Sequence, residues 1–188
     1  MMRLADRIVR LHDALDAAAL PHAIGGAISL AYCTRDPRAT DDIDVKVFVG
    51  IRRLDDVLDA LPSEIDVTDA GRRQLARDAQ ARGFWGATPV DLFLANHPFH
   101  GRSQERALLR PFEGREIPML SCIDLAVYKS FFARPKDAVD VAEMVRAGCI
   151  QLPELGREVR ELIGNERDEF LELVRAFSTA PEEPRDGL

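Results

Sequence analysis

Apolar positions recur at helical spacing through the first segment of the chain. Leu4, Ile8, Leu11, Leu15 and Ala18 fall on one stripe and predict an amphipathic helix over residues 2–19, closed by Pro21. Residues 26–33, GAISLAYC, predict a short helix opening on glycines, and the polar TRDPRATDD that follows is turn-rich. The period then changes to two. IDVKVFV at 43–49 predicts a strand, 52–61 a helix, and 64–68 a short edge strand. Residues 71–82 predict an Arg-rich helix, 84–94 one or two strands with the stronger at Pro89–Leu94, and 115–120 another, with Pro118 at an edge or a strand end. Residues 102–109 do not resolve by pattern.

Beyond residue 120 the pattern is helical. Ser121 is a good N-cap, with Asp124 three residues on in a capping-box-like arrangement. Pro135 suits the first turn of the next helix and Gly148 its C-terminal stop, and two further helices are expected at about 153–163 and 166–178. The layout is α+β, a mixed sheet between 43 and 120 with helices at both ends. It predicts a core over 1–120 that includes the N-terminal helix, a helical part over 121–180 packed on it, and a frayed tail at 181–188.

Composition narrows the class. The 188 residues are 46% hydrophobic and 30% charged, enough for a packed core and unlike a disordered chain. No apolar run of about 18 residues is present, and charges interrupt the N-terminus every few residues, so neither a membrane span nor a signal peptide is expected. Cys33, Cys122 and Cys149 lie far apart without zinc spacing or a disulfide framework. A cytoplasmic, reduced chain is the expectation. The net charge is −7, but 10 acidic against 5 basic residues after position 152 leave the body nearly neutral. Only Lys46, Lys129 and Lys136 are lysines among 25 cationic residues, so each lysine raises a question.

The chemistry gathers on carboxylates. Asp42 and Asp44 flank Ile43 at a strand start and point to one face. Such a pair repels unless a cation joins it, and hard divalent ions take carboxylates together with substrate phosphates. Asp91 heads the apolar run VDLFL and would complete a trio if the two strands are neighbours; a solvated strand end with a turn-capping Asp91 is the plainer alternative. Gly25 and Gly26 precede a helix whose backbone N–H groups could approach a phosphate, although two glycines often only start a helix.

Lys129 shares a helix face with Cys122, Leu125, Ala126 and Phe132, where an ammonium needs an anion, an ion pair or an escape to water. Asp137 suits a first helical turn, and Asp140 is less easily explained. Lys46 is expected to point outward near the carboxylates. Arg72, Arg73, Arg77 and Arg82 could line an acceptor groove or form a solvated face, and Arg102, Arg106 and Arg110 stand four apart. No histidine pair has ligand spacing on a helix, and Trp85 with most phenylalanines reads as core.

The segment IGGAISLAYCTRDPRATDDIDV resembles the signature of the DNA polymerase β-type nucleotidyltransferase superfamily. RATDDIDV is similar to the variant in small bacterial nucleotidyltransferases, including AbiEii-type toxins, and LSCIDLAVYKSFFARPKDAVDVAEMV to their Lys-bearing helix with its following Asp-rich turn. The resemblance covers about 22–147. It implies a nucleotidyltransferase-type mixed sheet flanked by helices and an enzyme that moves a nucleoside monophosphate from an NTP to an acceptor hydroxyl with Mg²⁺ or Mn²⁺. It implies Asp42, Asp44 and Asp91 as metal ligands and catalytic groups, with Asp91 also helping to deprotonate the acceptor. Lys129 would act near the nucleotide phosphates, with Gly25, Gly26, Ser29, Thr40 and Asp137 in nucleotide binding. Ser29 could equally be an ordinary helix serine. RNA such as the tRNA 3′ end, with a cognate antitoxin as partner, is the favoured acceptor, because Arg102, Arg106 and Arg110 would share one helical face that could follow an RNA backbone if their segment is helical; a small molecule such as an aminoglycoside or lincosamide is the alternative. A non-catalytic nucleotide-binding protein is a further alternative. Two departures stand out: fifteen residues separate Gly26 from Asp42, and Gly26 stands where many relatives carry serine.

Overall fold

A computed structural model describes residues 2–180; the expected tail at 181–188 lies outside them. Seven strands form one mixed sheet in the order β3-β4-β5-β2-β1-β7-β6. The strands are β1 (His22–Ile24), β2 (Ile43–Gly50), β3 (Ile65–Asp66), β4 (Gln80–Trp85), β5 (Thr88–Ala95), β6 (Leu108–Phe112) and β7 (Arg115–Met119). The helices are α1 (Leu4–Ala17), α2 (Gly26–Thr34), α3 (Leu54–Ala60), α4 (Asp69–Asp78), α5 (Phe99–Arg106), α6 (Cys122–Phe132), α7 (Pro135–Arg146), α8 (Leu152–Ile163) and α9 (Asp168–Thr179). A mixed sheet flanked by helices, with a helical C-terminal segment, is therefore the architecture.

Strand periodicity sends alternate residues to opposite faces. Ile43, Val45 and Val47 of β2 join Val90, Leu92 and Leu94 of β5 in a core with Ile8, Leu11 and Leu15 of α1, Val57 of α3 and Leu75 of α4. The other face of β2 carries Asp44, Lys46 and Phe48. On that side Phe48 packs in a second core with Leu30 of α2, Phe99 of α5 and the inner faces of α6, α7, α8 and α9. Helices on both sides thus leave the Asp44 face of β2 and β5 to line a cavity.

Local chemistry sets the element ends that matter. Ser121 Oγ accepts from Asp124 N at 3.2 Å and starts α6, and Pro135 opens α7. Gly148 has φ +71 and its N–H bonds to Val145 O at the end of α7, as expected for a glycine stop.

The structure corrects several expectations. The Arg-rich helix stops at Asp78, and Ala79 turns left-handed at φ 57. Residues 80–85 alternate between the site face and the core, with Ala81, Gly83 and Trp85 buried, so Arg82 belongs to a strand. The unresolved stretch divides into the end of α5 and the start of β6. Strand β7 lies between β1 and β6, so Pro118 sits near a strand end and not at a sheet edge. The three-residue β1 was missed because it is too short to show a period. Cys33 and Cys122, expected as free thiols, form a disulfide across 89 residues that joins α2 to α6. The folding of α2 against α6 brings these sequence-distant cysteines together, which linear spacing could not reveal.

Candidate active site

Strands β2 and β5 run parallel with Asp44 directly opposite Asp91. Asp42 precedes β2 by one residue, and Thr40 Oγ1 donates a short hydrogen bond to Asp42 Oδ1. The three carboxylates therefore share one end of the two central strands. Burial, with Asp42 and Asp91 as like charges nearby, pushes the Asp44 carboxyl up to about 6.

Asp91 is already engaged. Arg82 stands opposite it on β4, and its fork donates from Nε to Oδ1 at 2.7 Å and from Nη2 to Oδ2 at 2.6 Å. The pairing holds the guanidinium pKa above its ordinary value. Among the described residues, the trio of His, Cys, Asp or Glu ligand atoms gathered within 4.8 Å consists of cysteines and not of these carboxylates. The donor set nevertheless suits a hard divalent cation, because all its atoms are carboxylate oxygens and like-charge repulsion already disfavours the ionised Asp44. Asp42 and Asp44 could hold such an ion, and Asp91 could join them only if Arg82 let it go.

Helix α2 begins against Asp44. Gly25 N donates to Asp44 O at 2.9 Å, and Gly26 takes φ +54. A Cβ on Gly26 would stand 1.8 Å from Asp44 Oδ2, so position 26 tolerates no side chain while that carboxylate keeps its place. The close approach and the positive φ together account for glycine at position 26. Ser29, by contrast, is fully buried and donates to Ile24 O at 2.6 Å. Its hydroxyl braces the α2 start, as an ordinary helix serine would.

Lys129 finds anions on α7. Its Nζ donates to Asp140 Oδ2 at 2.6 Å and lies 3.6 Å from Asp137 Oδ1. Arg38 reaches the other oxygen of Asp140 at 2.6 Å, which anchors the loop before β2. Asp137 closes the first turn of α7, accepting from Arg134 N at 3.1 Å and from Arg134 Nε at 2.6 Å. Of the two acids, Asp140 is thus the nearer partner of Lys129, and Asp137 is turned to a capping role.

Gly25, Gly26, Asp44 and Lys129 line one cavity of about 450 Å³, whose walls include Phe93, Tyr128, Phe132 and Arg134. Lys46 lies there too. It is 6% exposed instead of pointing outward, because β2 is central and its Asp44 face is covered by α5 and α6. Its Nζ donates to Leu94 O at 2.7 Å and lies 3.4 Å from His100 Nε2, and burial pulls the ammonium down to about 7. Asn96 N donates to His100 Nδ1 at 2.9 Å, and burial lowers the imidazole to about 3. Because Nδ1 accepts from Asn96 N–H, a neutral His100 carries its proton on Nε2, and the contact with Lys46 is a hydrogen bond only when the amine is unprotonated and accepts it. The signal for Lys46 was present in the sequence: a rare lysine two residues from Asp44. Arg82, His100 and Tyr128 carried no such signal.

Four of the other arginines singled out by spacing have acidic partners. Arg72 pairs with Asp55, Arg77 with Asp78, Arg102 with Glu158 and Glu161, and Arg106 with Asp124 and Glu158. Arg110 lies on β6, so the three evenly spaced arginines do not share one helical face. His12 Nδ1 of α1 and His22 Nε2 of β1 lie 2.8 Å apart.

The fold is shared with solved structures. The antibiotic-resistance factor ANT(2'')-Ia in solution matches with a TM-score of 0.50 at 17% identity, over 92% of this chain and 89% of that one. ANT(2'')-Ia in complex with adenylyl-2''-tobramycin gives the same score and identity over 92% and 95%. An antigenic nucleotidyltransferase-like protein from Paracoccidioides brasiliensis is 14% identical over 90% of each chain, with a TM-score of 0.43. No family model and no curated protein matches. No described helix is long and apolar enough to cross a membrane.

Proposed function

We propose that this chain transfers a nucleoside monophosphate from an NTP to a hydroxyl of a small acceptor molecule. The observation that carries the proposal is the placement of Asp44 opposite Asp91 across β2 and β5, with Asp42 beside them and the first turn of α2 against Asp44. Carboxylates at that point, backbone N–H groups at a helix start and Lys129 on the cavity wall are what a polyphosphate with a divalent cation requires.

The chain's own residues divide the work. The N–H groups of α2 and the Lys129 ammonium receive the phosphates, and Asp140 aims the ammonium. Phe93 and Phe132, whose rings lie 6.1 Å apart, offer aromatic surface for a base. Asp42, Asp44 and Asp91 would hold Mg²⁺, which supplies charge neutralisation for the triphosphate when bound. The acceptor oxygen attacks the α-phosphorus, the bond to the bridging oxygen breaks, and pyrophosphate leaves with that electron pair. The acceptor proton passes to Asp91 once Arg82 has released it.

A small acceptor is favoured over RNA because Arg102 and Arg106, the proposed backbone-tracking arginines, are committed to Asp124, Glu158 and Glu161. The shared fold with ANT(2'')-Ia, a structure of which holds adenylyl-2''-tobramycin, supports an aminoglycoside-like polyol as the first class to try. The deciding experiment incubates the protein with each labelled NTP and Mg²⁺, with an aminoglycoside panel and total RNA in parallel. Label on a small molecule, abolished in Asp44→Ala, is expected. Label on RNA alone would return the acceptor to nucleic acid, and no transfer with any NTP would end the enzymatic proposal.

A further inference from the structure

All three cysteines of the chain meet at one place. Cys33 lies near the end of α2, Cys122 is the first residue of α6, and Cys149 follows the turn after α7. Their sulfur atoms all lie within 4.8 Å of one another. The Cys33–Cys122 disulfide accounts for two of them. Cys149 is a free, half-buried thiol whose Sγ donates to Met144 O at 3.1 Å. A staple between α2 and α6 needs two sulfurs, so the third, brought from the turn after α7, requires its own explanation.

Geometry and donor chemistry supply one. Thiolates on a tetrahedral Zn²⁺ at about 2.3 Å stand roughly 3.8 Å apart. The three sulfurs already lie within 4.8 Å of one another, so with the disulfide opened only a small movement separates them from that spacing. Three thiolates without a carboxylate form a soft donor set suited to a d¹⁰ cation and unlike the oxygen set at Asp42 and Asp44. Cys122 occupies the first turn of α6, where the helix dipole favours a thiolate. Cys122 and Cys149 are both partly exposed, which leaves access for the ion and for a water in the fourth position.

We propose that, with its disulfide reduced, the chain binds one Zn²⁺ through Cys33, Cys122 and Cys149, and that disulfide and metal complex are alternative states of one site. A phosphine opens the disulfide by giving two electrons and leaving as its oxide, with water supplying the oxygen and the two thiol protons. Metal binding then exchanges three thiol protons for the ion. Either state ties α2, which starts at Gly26, to α6, which carries Lys129.

The test uses the full chain, reduced with a phosphine and then freed of it without oxygen. Titration with Co²⁺ is expected to give a thiolate-to-cobalt charge-transfer band that saturates at one equivalent and vanishes on adding Zn²⁺. The disulfide form is expected to give no band, and Cys149→Ser to lose it, while Asp44→Asn keeps it because carboxylates give no sulfur band. X-ray absorption of the Zn²⁺-loaded wild-type chain, which needs no variant, is expected to count three sulfur ligands near 2.3 Å. A fully reduced chain with three free thiols and no band would overturn the site. So would a band that survives in Cys149→Ser, or a count of two sulfurs or fewer.

Discussion

Arg82 grips Asp91 with both arms of its guanidinium, at 2.7 and 2.6 Å, from the directly opposite position on β4. The pair sets a positive charge where the proposed cation would go. Arg82 therefore competes with the metal for Asp91 and keeps three nearby carboxylates from repelling freely while the site is empty of phosphate. Arg82→Ala is expected to tighten Mn²⁺ binding several-fold in the absence of nucleotide, as followed by electron paramagnetic resonance of the free ion. Weaker or unchanged binding would mean that Asp91 stays with β4 and takes no part in holding metal. The side chain of Arg82 is half exposed, so little change in melting temperature accompanies the substitution.

One variant can separate the ion pairing of Lys129 from its proposed phosphate contact. Removing the ammonium leaves Asp140 with Arg38 and Asp137 with Arg134, so neither acid loses every partner. Lys129→Ala is accordingly expected to cost only about 1–3 kcal/mol of stability, below the full penalty for a stranded buried charge. Nucleotide use is expected to suffer more, with KM for NTP raised or kcat lowered by roughly one to three decades through a lost charge-assisted phosphate contact. Steady-state kinetics beside thermal melts checks both. Normal kinetics with a lowered melting temperature would confine Lys129 to bracing α6 against α7.

The local signals in this chain were strong where geometry is local. The i, i+2 spacing of Asp42 and Asp44, the Ser121 cap, Pro135 at the start of α7 and the apolar alternation of β2 all follow from near neighbours in sequence. What escaped was set by partners far along the chain. Arg82 looks helical beside Arg72, Arg73 and Arg77, but β4 pairs with β5 and turns it onto Asp91. Lys46 looks outward until α5 and α6 close over β2. The arginines of α5 look like a nucleic-acid face until α8 brings Glu158 and Glu161 against them. Asp140, not Asp137, meets Lys129 most closely because Asp137 is used as a cap.

The two glycines make unequal demands. At Gly25 an added methyl meets Leu120 Cδ1 at 3.2 Å, the movable end of a side chain. At Gly26 it meets a carboxylate oxygen at 1.8 Å, from a backbone with positive φ. Gly26→Ala is expected to lose about 2 kcal/mol or more and to displace Asp44, whereas Gly25→Ala loses about 1 kcal/mol or less. Chemical denaturation of the two variants gives the comparison. Equal losses would show that Asp44 does not hold the place that excludes a side chain at 26.

The pH dependence of stability is expected to carry the mark of Asp44. Its carboxyl, pushed up to about 6 from an ordinary 3.8, holds a proton more tightly in the folded chain than in the unfolded one. That contribution is complete below the unfolded value and is lost as pH rises through about 6. Asp44→Asn keeps a neutral group at all pH. In a chelator, it should exceed the native chain in stability by roughly 2–3 kcal/mol at pH 8, with the gap closing below pH 4. Melts across that range decide it; a constant gap would assign the effect to packing instead of charge.

The acceptor is approached through Arg106. Its Nη2 donates to Asp124 Oδ1 at 2.5 Å and its Nη1 to Glu158 Oε1 at 3.0 Å, and the Asp124 side chain is wholly buried. Losing the guanidinium leaves a buried carboxylate with Ser121 alone, so Arg106→Ala is expected to cost about 2–4 kcal/mol. Arg102, whose pairs with Glu158 and Glu161 are more exposed, should matter by about 0.5 kcal/mol or less on replacement by alanine. An RNA acceptor on this face would behave differently. Each lost phosphate contact would flatten the fall of affinity with salt by close to one in the logarithmic slope. With a small acceptor, the salt dependence of transfer is expected to be the same in the native chain and in Arg102→Ala, which keeps the fold. A flatter slope in Arg102→Ala, with RNA as the labelled product, would show that α5 exchanges its acidic partners for a nucleic-acid backbone.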